Sequence, residues 1–179
     1  MEFDVSRDPD IQGNLQALQN TLSVIDGLDT AQYIRPSGGP GSASIGKHVR
    51  HIVDFYECFL NGIAEGSVDY DARNRSPLLE SSGQHARERL ATVGNRLSSL
   101  TEPDKALSVS SSSDDTLDPV PMQSSLRREL SFLCSHATHH LAVIALIMGQ
   151  FGLAAPPSLG VAASTKKHLQ ESSASVVAD

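Results

Sequence analysis

Apolar residues recur along this chain at spacings of three and four over four long stretches, the period of helices that each bury one face. In the first, Ile11, Leu15, Leu18, Leu22 and Ile25 form the stripe. It predicts a helix from about Pro9 to Leu28, with Asp8 as N-cap and Pro9 at the first helical position, where a missing N–H costs nothing. The Gly- and Pro-rich connector Arg35 to Gly41 cannot continue it. A second helix starts at Ser42 or Ser44 and runs to about Glu65 on Ile45, Val49, Ile52, Phe55, Phe59 and Ile63, with Gly66 as its stop.

A polar connector, Val68 to Arg75, leads through Pro77 to a third stripe of Ala86, Leu90, Val93, Leu97 and Leu100, closed by Pro103. Residues 104–121 are rich in Ser and Asp and lack a helical period; the alternation Ala106-Leu107-Ser108-Val109 makes this a long loop or a small hairpin. A fourth helix runs from Ser124 or Ser125 to about Gln150 on Leu126, Leu130, Leu133, Ala137, Ile144 and Met148. Four such stripes bury one another most simply as an all-α four-helix bundle, with a core of about 8–152 in a single domain of 1–179. The segment 153–179 reads as a C-terminal tail, with only Lys166 to Gln170 faintly ordered.

Charge narrows the function. With 14 basic and 21 acidic side chains the net charge is −7, and no basic run exists, which argues against nucleic acid as a partner. The acidic start Met1-Glu2-Phe3-Asp4 is unlike a signal peptide, and no consecutive apolar run nears the ~18 residues of a membrane span, so a cytoplasmic protein without a membrane partner is expected. Cys58 and Cys134 lie within apolar patterns and are expected as buried thiols; Cys58, on the side of His51, has a thiolate ligand as its alternative role. There is no Gly-rich phosphate loop, Gly-x-Ser-x-Gly elbow or Cys-x-x-Cys ribbon.

The chemistry is concentrated in histidine. Five of the seven fall in two groups, His48 and His51 on the second helix, and His136, His139 and His140 on the fourth. Residues four apart on a helix are ~40° apart in azimuth and one turn in height, so His136 and His140 can aim at one ion. A third nitrogen comes from a facing helix. His48 falls within the apolar face of the second helix and His51 on its margin, beside a cleft, so the wheel selects His51, His136 and His140. His48, His139 and Glu129 are secondary candidates. Glu129 reads first as a solvated charge on the bundle surface; two turns before His136, it is placed as well to orient a ligand or join a substrate pocket. His85, His168 and His139 read more simply as ordinary core or surface histidines. Asp69, Asp71, Arg73 and Arg75 read as a mutually paired, solvated surface or as a clamp for an anionic substrate.

Ser44-Ile45-Gly46-Lys47-His48-Val49-Arg50-His51-Ile52-Val53-Asp54, followed far downstream by Ser135-His136-Ala137-Thr138-His139-His140, resembles the DinB-like superfamily of metalloenzymes. The resemblance covers residues 8 to 152 in outline. It implies a four-helix bundle holding a divalent metal, zinc, nickel or similar, through His51, His136 and His140. Leu141-Ala142-Val143 stands where many members carry Arg-Gly-Gln. The resemblance implies a metal-dependent enzyme acting on a small-molecule substrate, with a thiol-dependent S-transferase using a low-molecular-weight thiol first and a hydrolase second. The alternative is a non-catalytic, stress-related or ligand-binding bundle in which metal is incidental or absent. Exposed apolar surface would permit a homodimer.

Overall fold

The computed structural model describes residues 8–39, 41–101, 103–112 and 116–176, with the side chains of 174–176 left aside. The chain is mostly helical and carries a small three-stranded sheet. The helices are α1 (Pro9–Asp26), α2 (Thr30–Ile34), α3 (Ile45–Gly62), α4 (Pro77–Ser81), α5 (Gly83–Ser98), α6 (Leu126–Gln150) and α7 (Ala163–Val176). The strands are β1 (Ser67–Asp69), β2 (Ala106–Ser110) and β3 (Met122–Ser125).

The four long stripes become α1, α3, α5 and α6; α1, α3 and α6 are each started by a side chain expected to cap them, while α5 is capped by Ser82, which the sequence pattern does not single out. Asp8 accepts hydrogen bonds from the amides of Asp10 (2.8 Å) and Ile11 (3.4 Å), with Pro9 opening α1. Ser44, not Ser42, caps α3 by accepting from Lys47 N. Ser125 caps α6 by accepting from Arg128 N. Helices α1 and α3 each pack on both α5 and α6. Their shared core includes Leu18, Ile25, Ile52, Phe59, Leu90, Leu97, Leu133 and Ile144, all buried. Asn14 is the polar tie through this core: its amide donates to Leu130 O (2.9 Å) and its oxygen accepts from Tyr56 OH (2.7 Å), joining α1 to α6 and α3. By length and mean hydropathy (1.5) α6 could cross a membrane, as can the core helix of a globular protein; one third of that window is buried.

The expected architecture needs correcting at three places. Val68 and Asp69, expected in a polar connector, belong to β1, which runs parallel to β2 with Val68 opposite Val109; β3 pairs antiparallel on the other side of β2. The 104–121 region is thus a strand leading into a loop, and β3 begins only at Met122; Ser113, Asp114 and Asp115 of the expected loop lie outside the described residues. Between α1 and α5 the short helices α2 and α4 dock on α3. Their approach requires Gly46, where a Cβ would strike the Glu80 carbonyl. Finally, the tail begins packed on α6 and continues into a helix whose described side chains are almost all exposed. Leu159 is 7% exposed, Gly160 (φ 71°) lies against Ala142 of α6, and Ala163–Val176 forms α7.

Candidate metal centre

Helices α3 and α6 face each other, and their histidine groups meet at the contact. His51, His136 and His140 each offer a ring nitrogen, all three within 4.8 Å of one another. The ring centroids are 5.0 Å apart for His51 and His136, 4.5 Å for His51 and His140, and 4.6 Å for His136 and His140. Three imidazole nitrogens at ~2.0–2.1 Å from one ion stand closer together than that outer limit, so binding draws the rings together. The donor set fits a borderline transition metal such as zinc or nickel. A second observation supports the fit: His136 Nε2 is buried and has no hydrogen-bond partner, the position of an atom with a lone pair to give.

Electrostatics keep these rings able to ligate. Burial, reinforced by neighbouring histidines, pushes His51 and His136 down to about 4 and His140 to about 3. All three are neutral imidazoles at physiological pH, the state in which a metal is bound.

His48 does not join the three but touches one of them. Its Nδ1 lies 3.0 Å from His140 Nδ1, so it can fix the orientation of that ring. His139 is exposed, with its ring 5.3 Å from His140. His85 caps into the first turn of α5, its amide donating to Ser82 Oγ, far along the chain from either group. His168 is exposed on α7. Cys58 is outside the ligand cluster, and burial pushes its thiol up to about 11, so it is held as a thiol and not a thiolate.

Glu129 is not the solvated surface charge expected from its sequence position. It is fully buried, and its carboxylate accepts from Tyr70 OH (2.8 Å), Ser124 Oγ (2.5 Å) and Arg128 Nη1 (2.8 Å). Through Tyr70 it reaches the centre indirectly: Tyr70 stacks on Phe55 (5.1 Å), and Phe55 stacks on His136 (4.1 Å) and flanks His51 (4.7 Å). Glu129 therefore braces the aromatic wall of the site.

That wall went unread in the sequence. Phe55 and Phe132, with ring centres 6.1 Å apart, flank His136, and each carries an arginine: Arg73 Cζ is 5.0 Å from the Phe55 centroid, Arg128 Cζ 5.3 Å from that of Phe132. Phe55 was visible as part of the α3 stripe and four residues from His51, which places it one turn along the same face. Nothing in the spacing could bring Arg73 to it. Asp54 is also buried, 3.8 Å from Arg50, and burial raises its carboxyl against the pull of that guanidinium.

The sequence model of the DinB superfamily matches residues 15–144, and the chain belongs to that superfamily. The matched region contains α3, most of α6 and all three converging histidines. Among curated proteins, the chain is 32% identical over 107 residues to FK506-binding protein 5 of Rhizopus delemar, an alignment covering 58% of this chain and 28% of that protein. The chain thus spans little more than a quarter of that relative's length. No solved structure matches.

Proposed function

We propose that this chain is a metal-dependent DinB-superfamily enzyme in which His51, His136 and His140 hold one divalent ion and leave part of its coordination sphere open to a small molecule. The reading takes α1, α3, α5 and α6 as the four-helix bundle of the family, with the ion between α3 and α6. The observation that carries it is the convergence of three neutral imidazoles from two helices, one with a buried, unpartnered Nε2. A divalent ion there supplies Lewis acidity, which makes a thiol or water more acidic near neutral pH.

The residues around it do the rest. Phe55 and Phe132 pack beside His136 and limit water on that side. His48 steadies His140, and Glu129 holds Tyr70 against Phe55. Cys58, held protonated by burial, is unsuited to act as nucleophile, which favours a thiol brought by the substrate. Transfer of a low-molecular-weight thiol to an electrophile is the first reaction class, hydrolysis the second.

Elemental analysis of protein purified without an affinity tag tests the site. About one equivalent of zinc, nickel or a similar ion is expected, lost in His51→Ala and His136→Ala. Equal metal content in all three proteins removes the proposal. A panel of thiols with an electrophilic acceptor then tests the reaction: turnover that needs the metal is expected, and its absence leaves a binding bundle.

A further inference from the structure

Two arginines stand over the aromatic wall of this centre in a chain whose net charge is −7. Arg128 is already engaged, since its Nη1 donates to the buried Glu129 carboxylate. Arg73 is different. It is half-buried, stacked over Phe55, and makes no ion pair within 4 Å among the described residues.

Its placement is built. Strand β1 ends at Asp69, and the chain beyond is pinned to β2 by Tyr70 N donating to Ser110 O (2.9 Å) and by Ser112 N donating to an Asp71 carboxylate oxygen (2.5 Å). Asp69 accepts from Asp71 N (2.8 Å) and tightens the turn, while Tyr70 OH is fixed by Glu129. The pinned segment delivers Arg73 to within 5.0 Å of the centroid of Phe55, a ring whose neighbours include His136 and His51. Both rings feel the guanidinium, which helps to keep them unprotonated. A guanidinium stacked on an aromatic face keeps its N–H edges available, and a carboxylate is the group that its planar fork fits best.

We propose that Arg73 is the anion-recognition residue of this site, so that the small molecule presented to the His51, His136 and His140 centre carries a carboxylate. The inference rests on the metal-site reading above for what the carboxylate-bearing molecule does, but not for whether Arg73 binds it. The carboxylate can belong to the thiol or to the acceptor, and the probes separate the two.

The first arm uses metal-free full-length protein titrated with propionate and followed by NMR of the arginine side-chain and histidine ring signals. Saturable shifts at Arg73, His51 and His136 are expected; the histidine shifts are lost in Arg73→Gln and only partly kept in Arg73→Lys, which retains the charge without the planar fork. Shifts that persist in Arg73→Gln, or none in the parent, overturn the subsite. The second arm loads cobalt(II) and reads the thiolate charge-transfer band with 3-mercaptopropionate and 2-mercaptoethanol. Tighter binding of the carboxylate thiol by about tenfold is expected, the increment of a charge-assisted hydrogen bond. Arg73→Gln should remove that preference while leaving cobalt stoichiometry and 2-mercaptoethanol binding unchanged. Equal affinities, with propionate still bound through Arg73, assign the carboxylate to the acceptor. Equal affinities and no propionate binding overturn the proposal. Failure to take up cobalt sinks the metal reading alone, because the first arm still reports on Arg73.

Discussion

His48 Nδ1 and His140 Nδ1 lie 3.0 Å apart, a contact between α3 and α6 in which one ring must donate and the other accept. When His140 donates, its proton is on Nδ1, and the Nε2 lone pair is left for an ion. The opposite tautomer puts a proton on Nε2 and blocks ligation there. With His48 as the acceptor, His140 is held in its binding form by a residue that is not itself a ligand. Removing it in His48→Ala is expected to weaken zinc affinity by about 10–100-fold, the usual cost of losing a partner behind a ligand. Chelator competition measures this, and His48→Asn, which retains a polar partner, should recover part of the loss. Unchanged affinity in His48→Ala would show that His140 is oriented by packing alone.

The same rings set the acid limit of the metal-free fold. An unfolded histidine titrates near 6.5, whereas burial holds His51 and His136 at about 4 and His140 at about 3, and lowers His48 as well. Above pH 6.5 neither state carries these protons, and the contribution to stability is complete. As the pH falls below 6.5 the unfolded chain takes up protons that the fold refuses, so stability declines steadily down to about pH 3. Thermal melts of metal-free protein at pH 7, 6, 5 and 4 should show this decline. A variant with His51, His136 and His140 all changed to Gln should have a flatter profile over the same window, and parallel profiles would contradict the assignment.

How much could be read in advance depended on the range of each interaction. The stripes of α1, α3, α5 and α6 were legible because helical burial repeats within a few residues. His136 and His140 paired on paper for the same reason, four residues being one turn. Helix α2, at five residues, is too short to show a period, and β1 buries only Val68, whose partner Val109 is 41 positions further on. Helix α7 has an exposed polar surface with no strong apolar stripe, so only its middle drew notice. Arg73 over Phe55 depends on the β1 to β2 pairing, which no local pattern encodes.

Cys58 offers a check on the electrostatics next to the site. Burial, with Asp54 as the next cause, pushes its thiol from 9.0 up to about 11. At pH 8 the thiolate is then about a hundredfold scarcer than in an unperturbed thiol, and alkylation slows in proportion. In a Cys134→Ser background, iodoacetamide should label Cys58 slowly at pH 8 and faster as the pH approaches 11. Rapid labelling at pH 8 would mean a thiolate-stabilising environment and would return Cys58 to the list of nucleophiles.

Gly160 tests whether the packed tail matters to the fold without touching the site. Its φ of 71° is unfavourable for any side chain, and a Cβ there would run into the Ala142 backbone of α6. Gly160→Ala must shift the tail outward and loosen Leu159, at a cost of about 2 kcal/mol from backbone strain and lost packing. For a chain of this size that corresponds to a Tm lower by about 4–8 °C. Ala142 is two residues from His140, hence ~200° around the helix and on the opposite side from the ligands. Metal affinity should therefore stay at the parent value while the melt moves. A Tm unchanged by the substitution would mean that the tail does not hold this position in solution, and a parallel fall in metal affinity would mean that the tail also sets the orientation of α6 at the centre.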